Sequence, residues 1–431
     1  MKIKIEKGIA RGTVCAPPSK SMAHRLLICA GLSDGECVVH GISDSEDMLA
    51  TMDCLRALGV QCEKDGETVR VSGIDIRKAA APKQLNCRES GSTLRFFIPI
   101  ALMTGMETVL AGSRRLMERP LSVYEELFLQ RGIGFRKTER EIKICGNLQS
   151  GDFELDGNVS SQFVTGLLFA LPLLDGDSRI VLRPPVESRS YIDMTLSALK
   201  LFGIEAGWQE ENVLYMKGNQ HYRAGEVFVE GDYSNAAFFA ALNLLGGQVK
   251  IENLREDSLQ GDRIYEELFE KLKRPGAEID LSDCPDLGPV LFAAAAAKHG
   301  GKFTGTSRLK IKESNRVAVP GCHATGAILI IRPLLEAGYI NADYPFSVFS
   351  LTGYSGGGKK MIADYESCRQ VRSPGQYAIT QKHKHLPEIM KATGLETRPS
   401  FMPVVGHFFS GMEVTVPLSG GFLKREISSV K

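Results

Sequence analysis

Apolar and polar positions along most of the chain fall into a repeating order. A helical stretch ends at a glycine, and an alternating apolar–polar strand pair follows. The order occurs in "MDCLRALGVQCEKDGETVRVSG", "YEELFLQRGIGFRKTEREIKICG", "TLSALKLFGIEAGWQEENVLYMKG" and "YEELFEKLKRPGAEIDLSD". The closing glycines, Gly59, Gly132, Gly203 and Gly276, recur at intervals of about seventy residues, which marks repeated supersecondary units. Each glycine suits a helix C-cap, where positive φ costs a residue without Cβ nothing. Each following pair is predicted as a hairpin, with polar turns such as "KDGE" and "QEEN". Between these beats, helices are predicted after small polar residues in "SGSTLRFF", "SSQFVTGLLF", "DYSNAAFFAAL" and "PDLGPVLFAAA". The predicted unit is therefore strand–helix–strand–helix–strand–strand. One more interval after Gly276 lands near "FSLTGYSGGGKK", which has no helix, cap or hairpin, so the regular architecture is expected to end near Val317.

Length and composition set the scale. The 431 residues, 43% of them hydrophobic, can fill a large core and two to four domains. Lys plus Arg number 52 against 51 Asp plus Glu, so nothing indicates a nucleic-acid partner. The 10 cysteines include no CxxC pair, which signals neither a zinc site nor a disulfide framework and fits a reducing compartment. The N-terminus alternates like a strand rather than a leader, and the apolar stretches are too short to cross a bilayer. A cytoplasmic protein with no membrane partner and no metal is expected. His323, His383, His385 and His407 all lie in the last quarter, where composition shifts.

Candidate chemistry gathers at helix starts. "APPSKSMAHRLLICAGL" places Ser19, Lys20, Ser21 and Arg25 at the start of an apolar helix, where free N–H groups and the macrodipole favour an anion. Ser90, Gly91, Ser92 and Arg95 open a second helix, and Arg119 precedes a helix-opening proline. Ser160, Ser161 and Gln162 open another, and Ser188, Arg189 and Tyr191 a further one. Each could be an ordinary cap. Each terminus contributes only about 0.3–1 kcal/mol, so a polyanionic substrate pair needs several together with charge-assisted bonds. Two carboxylates, Asp286 in "CPDLGP" and Glu313 in "RLKIKESNR", lie near Lys312 and Arg316 or before an apolar helix. Beside cations they make salt bridges; beside bound phosphate they can move protons.

The motifs "PPSKSMAHR", "CRESGSTLRF", "ERP", "VSSQF", "SRSYIDMT", "EGDYSNAAFF", "PDLGP" and "KESNR" resemble, in order, those of the EPSP synthase (3-phosphoshikimate 1-carboxyvinyltransferase) family over residues 1–317. The resemblance implies an α/β fold, the inside-out α/β barrel of repeated βαβαββ units in two lobes with the site between them. It implies cofactor-free transfer of enolpyruvyl from phosphoenolpyruvate to the 5-hydroxyl of shikimate 3-phosphate, in chorismate and aromatic amino-acid synthesis. By the same resemblance Lys20, Ser21, Arg25, Ser160, Ser161, Gln162, Ser188 and Asp286 hold shikimate 3-phosphate. Gly91, Arg119, Gln162, Lys312 and Arg316 hold phosphoenolpyruvate, and Asp286, Glu313 and Lys20 carry the catalysis. Glu89 stands where many members have asparagine. The family is monomeric.

After the junction, "VPGCHATG" places Cys322 at a Pro-Gly turn entering a helix, where a thiol has more thiolate character. A glycine run follows, and His383 or His385 could act as a base. "PGCHATG", "SLTGYSGGGKKMI", "QYAITQKHKHLPEI" and "FMPVVGHFFSGMEVTVPL" resemble the short variety of N-acetyl-gamma-glutamyl-phosphate reductase over residues 318–418. That family attacks an acyl phosphate with the cysteine and reduces the thioester with NADPH in arginine synthesis. No GxGxxG-type start for an NADP-binding domain precedes Cys322, and the tail ends without the closing helix and strand of the substrate domain. No reductase activity is expected.

Three segments are thus expected. Residues 20–235 form a complete lobe of three repeats. Residues 1–19 and 236–317 form a second lobe lacking its last part, and residues 318–431 an α+β fragment of a dehydrogenase substrate domain. The junction is expected to be a join by frameshift, rearrangement or assembly. The transferase lacks the late basic residues that complete the phosphoenolpyruvate pocket in its family, so impaired turnover is expected. The alternatives are a reductase fragment acting through Cys322 and a non-catalytic binder of shikimate 3-phosphate.

Overall fold

The computed structural model describes residues 8–79, 84–306, 309, 322–367, 373–409 and 411–419. The chain divides into two units, 1–312 and 313–431. The first holds two separate apolar clusters, the second one.

In the first unit, β1 (Arg11–Cys15) leads to α1 (Lys20–Gly31), β2 (Glu36–His40), α2 (Glu46–Ala57) and the hairpin β3 (Gln61–Asp65)–β4 (Thr68–Ser72). A second pass runs β5 (Leu85–Asn86), α3 (Gly91–Leu102), β6 (Thr108–Ala111), the short α4 (Arg114–Met117), α5 (Ser122–Leu129) and the hairpin β7 (Gly134–Lys137)–β8 (Glu141–Cys145). A third runs β9 (Gly151–Asp156), α6 (Ser161–Ala170), β10 (Ser178–Arg183), α7 (Arg189–Leu201) and the hairpin β11 (Ala206–Glu210)–β12 (Val213–Met216). β13 (Glu226–Phe228) then returns to pair parallel with β2. The expected beat is present in all three passes, and Gly59, Gly132 and Gly203 take φ of 101°, 68° and 76° after their helices.

Each pass gives one four-stranded sheet of the same order: a parallel pair, then the hairpin's second strand, then its first. The sheets are β13-β2-β4-β3, β5-β6-β8-β7 and β9-β10-β12-β11; none closes into a barrel. Their strands alternate buried and exposed positions, as one-sided packing requires. The helices α1, α3 and α6 lie inside and are almost wholly buried; α3 and α6 are largely apolar, whereas α1 also buries His24 and Arg25. Gly166 sets the approach of α3 to α6. A Cβ there would meet the Tyr124 hydroxyl and, at 2.6 Å, the Arg95 carbonyl oxygen. The Tyr124 hydroxyl lies 3.0 Å from the Arg95 carbonyl and 2.9 Å from that of Phe163, so one buried phenol ties α5 to both helices.

The fourth pass departs from the expected order. α8 (Tyr233–Leu244) and β14 (Gln248–Glu252) follow β13, and β14 pairs parallel with β1. α9 (Tyr265–Leu272) is followed by Gly276 at φ 76°, as expected, but no hairpin follows among the described residues. A single strand, β15 (Glu278–Asp280), pairs parallel with β16 (Lys302–Thr304) across α10 (Gly288–Ala296). The reason lies in "AEIDLSDCPD". One apolar alternation is available before Asp280 turns the chain by accepting from the Ser282 amide at 3.0 Å and its hydroxyl at 2.7 Å. Pro285 then closes the stretch, and no second strand fits.

The second unit is a mixed α/β body. It comprises α11 (Cys322–Glu336), β17 (Ser347–Gly353), α12 (Gly358–Glu366), β18 (Gly375–Gln376), α13 (His385–Thr393), β19 (Ser400–Gly406) and β20 (Met412–Thr415). Its sheet has the order β18-β19-β17-β20, with β17 and β19 parallel at the centre. Phe346, Val348, Phe401 and residues of α11 and α13 form its core.

Gly166→Ala is expected to destabilise the first unit by about 1–3 kcal/mol, because the added methyl overpacks a contact between two buried helices. Urea denaturation followed by circular dichroism measures the loss; an unchanged midpoint would show that the approach of α3 to α6 is not set there.

Candidate functional site

The α1 start is built by Ser19, whose hydroxyl caps the helix by accepting from the Met22 amide at 3.4 Å. Lys20 follows, exposed, with its ammonium 3.3 Å from the Asp47 carboxylate on α2. Burial alone would raise the Asp47 carboxyl. Lys20, a hydrogen bond from Ser90 and the neighbouring His24 outweigh it and hold that carboxyl below its ordinary value. Asp47 therefore joins the start of α1 to that of α3. One turn further, buried Arg25 donates from Nη1 to the Ser21 carbonyl at 2.6 Å, from Nη2 to the Tyr191 carbonyl at 2.8 Å and from Nε to Thr195 at 2.9 Å. Burial pushes the Arg25 guanidinium down to about 10.

At the α3 start, Ser90 caps by accepting from the Thr93 amide at 3.2 Å. A side chain at Gly91 would collide with the guanidinium of Arg119 and come within 3.1 Å of that of Arg95. Glycine thus lets two guanidinium groups lie against the first turn of α3. Arg95 donates to Gln162 Oε1 at 2.7 Å, and Gln162 donates to the Ser92 hydroxyl at 2.8 Å. Gln162 therefore bridges the starts of α3 and α6, where Ser160 is the cap and Ser161 the first, buried residue. Burial, and then the charge of Arg119, push Arg95 down to about 10, and its buried Nε has no hydrogen-bond partner.

The α7 start carries a backbone outlier. Ser188 precedes the helix at φ 54° and ψ 40°, a region a residue with Cβ seldom adopts, and it is buried. From the first turn of α7, the Tyr191 hydroxyl donates to Asp286 Oδ2 at 2.6 Å. Burial, then Asp262 and Asp286, hold the Tyr191 phenol well above its ordinary value, so it remains a donor. The Arg189 amide donates to Asp283 Oδ1 at 3.3 Å, which also draws the 283–286 turn onto α7.

Hydrogen bonds thus run from Lys20 to Asp47, from Arg25 to Ser21 and Tyr191, from Arg95 to Gln162 and from Tyr191 to Asp286. Arg119 lies against Gly91, and Ser160, Ser161 and Ser188 stand at helix starts. Among the described residues no carboxylate pairs with Arg25, Arg95 or Arg119. Lys312, Glu313, Arg316 and the side chain of Cys322 lie outside the described residues.

Residues 6–320 match the family model described as EPSP synthase (3-phosphoshikimate 1-carboxyvinyltransferase). The chain belongs to the EPSP synthase family. It is 42% identical over 326 residues to the 3-phosphoshikimate 1-carboxyvinyltransferase of Clostridium kluyveri, covering 71% of this chain and 76% of that one. It is 40% identical over 345 residues to that of Clostridium beijerinckii, covering 73% and 79%. The solved structure of EPSP synthase from Acinetobacter baumannii shares the fold, with a TM-score of 0.61 at 22% identity over 72% of this chain and 76% of that one. Residues 322–429 match a second family model, described as semialdehyde dehydrogenase, dimerisation domain. The EPSP synthase match and the dehydrogenase match therefore abut where the regular glycine interval stops.

Two residues linked to these helix starts, Asp47 and His24, are not among those singled out from sequence, and Arg95 is singled out only as part of a helix start. Arg95 was visible as the lone charge in an apolar helix start. Asp47 and His24 carry no local signal. Buried His24 lies 2.8 Å from Thr51, which continues through Thr93 at 2.9 Å to Ser90 at 2.8 Å, and burial pushes His24 down to about 3.

In the second unit, α11 begins at Cys322, as expected. His383 and His385 come together with ring centroids 4.5 Å apart, beside His323. His323 is held by Ser350 at 2.5 Å and Tyr377 at 2.8 Å. Burial, then His385 and His383, push His323 down to about 4; burial first also lowers His383 and His385.

The sign of the pH effect follows. His323 ionises near 6.5 when unfolded and near 4 when folded, so the unfolded chain binds more protons across that window. The second unit is expected to lose stability as pH falls from about 6.5 to about 4. Scanning calorimetry checks this; a transition temperature that stays flat across the window would contradict it.

Proposed function

We propose that residues 1–317 hold shikimate 3-phosphate and phosphoenolpyruvate at the linked helix starts, as a 3-phosphoshikimate 1-carboxyvinyltransferase whose turnover is impaired. The observation that carries this is charge. Arg25, Arg95 and Arg119 converge on helix N-termini, two of them buried, with no described carboxylate to balance them. Burying a cation without a partner costs several kcal/mol, and a bound dianion removes that cost.

In this reading the phosphate of shikimate 3-phosphate sits at the starts of α1, α6 and α7, against Ser21, Arg25, Ser160, Ser161 and Ser188. Phosphoenolpyruvate lies against Gly91 and Arg119, with Gln162 between the two ligands and Lys20 reaching both. Asp286, held by Tyr191, accepts the ring hydroxyl's proton as that oxygen adds to C2 of phosphoenolpyruvate. Glu313 and Lys20 serve the proton gained at C3 and later lost. Phosphate then leaves the tetrahedral intermediate. Lys312 and Arg316 complete the phosphoenolpyruvate side.

Impairment is supported by coverage and topology. The match covers 76% of the Clostridium kluyveri relative, and among the described residues the second lobe carries two parallel strand pairs instead of four-stranded sheets. Every residue of the shikimate 3-phosphate set except Asp286 stands on the complete lobe, so that binding is retained; closure over phosphoenolpyruvate is not.

Calorimetric titration is expected to show heat on adding shikimate 3-phosphate, and Arg25→Ala to weaken it by about 2–5 kcal/mol, roughly thirty- to several-thousandfold. Phosphate release from both substrates is expected to fall far below that of a complete relative measured alongside. No heat with the intact chain would end the binding reading, and release at the relative's rate would end the impairment.

A further inference from the structure

The two lobes of the first unit invite comparison helix by helix. In the complete lobe, the helices that follow the strand of each pass are α1, α3 and α6, and nearly every residue of each is buried. Their counterparts in the second lobe are α8 and α10. They are just as apolar, "YSNAAFFAALNL" and "GPVLFAAAA", yet only Tyr233, Ala236, Ala237 and Leu244 of α8 are buried. Phe238 is 50% exposed, Leu242 38% and Leu245 55% on one stripe of α8, and Phe292 of α10 is 39% exposed. A helix that is apolar all round belongs in an interior. Here it has an interior on one side only.

The sheets give the same result. Each sheet of the complete lobe adds a hairpin to its parallel pair, whereas among the described residues β1-β14 and β15-β16 are parallel pairs alone. Among the described residues, no strand covers the outer edges of β14 and β16 where β10 and β6 are covered by β12 and β8. Missing strands and missing helix neighbours occur in the same lobe.

We propose that this face, Phe238, Leu242, Leu245 and Phe292 with the neighbouring strand edges, is a docking surface for a separate α/β polypeptide. That polypeptide carries one further strand–helix unit, with an all-round apolar helix that packs against α8 and α10 as α6 packs against α1 and α3. Internal repetition fixes the shape of the partner, because three such helices fill the complete lobe and the described residues of the second lobe supply two. Coverage agrees: the match leaves about a quarter of the Clostridium kluyveri relative without a counterpart, enough for one more unit of about seventy residues. A second copy of this chain fits less well, since its own complete lobe has no unpacked unit to donate. The inference concerns assembly and does not rest on the catalytic reading.

The test uses the intact chain and, as probe, the part of the Clostridium kluyveri protein that this chain does not match. The probe's competence is shown first by its assembly with that protein's own matching part. Sedimentation velocity is expected to show a one-to-one complex with the chain. Phe238→Asp, at an exposed position that leaves the core intact, is expected to weaken the complex about ten- to a hundredfold, the worth of burying one aromatic side chain. No complex with a competent probe would overturn the proposal, as would a complex insensitive to Phe238→Asp. Self-association of the chain abolished by Phe238→Asp would overturn it in favour of a second copy. Complex formation without any gain in phosphate release would leave docking standing and count against the proposed catalytic reading alone.

Discussion

The approach of α3 to α6, set by Gly166 and pinned by the Tyr124 hydroxyl, is the constraint from which the site follows. Only because the two helices lie this close can Gln162 on one reach both Arg95 and Ser92 on the other. Arg95 in turn lies beside Gly91 and shares the α3 start with Arg119. A wider separation would break both bonds of the half-buried Gln162 amide and leave buried Arg95 only its long contacts to the Gly91 and Pro120 carbonyls. Packing in the interior and the concentration of positive charge at the helix starts are thus one arrangement.

The same principle explains why the lobes differ. Three apolar helices bury one another, and each repeat of the complete lobe closes its sheet with a hairpin. With two such helices and no hairpin among the described residues of the second lobe, α8 and α10 keep apolar surface exposed and no described strand covers the outer edges of β14 and β16. At about 25 cal/mol per Å² this exposed surface is lost stabilisation, and an open strand edge invites pairing with other chains. The site inherits the difference. The cationic helix starts of the proposed site stand on the first three passes, while Asp286 stands on the fourth and accepts from the Tyr191 hydroxyl.

Much of this was legible in the sequence because it is local. Glycine C-caps, hairpin turns and serine N-caps are written within a few residues, and Gly59, Gly132, Gly203, Ser19, Ser90 and Ser160 act as their neighbours imply. The hairpin expected after Gly276 failed because the rhythm of the preceding passes outweighed the stretch itself, where Asp280, Ser282 and Pro285 make a turn instead. The Asp47 and His24 contacts span 27 residues of chain, and the Tyr191–Asp286 bond spans 95. Pairings of that range depend on which sheets and helices meet, and no local pattern encodes them. The stop in the glycine interval, by contrast, located the change from one family match to the next.

Native-state amide hydrogen exchange, resolved to peptides of each helix in the intact chain, tests the central claim most directly. If one lobe is complete and the other is not, the amides of α3 and α6 exchange only through global opening of the first unit. Those of α8 and α10 then exchange at least about a hundredfold faster, through local opening of a half-covered lobe. Equal protection of the four helices would contradict the account.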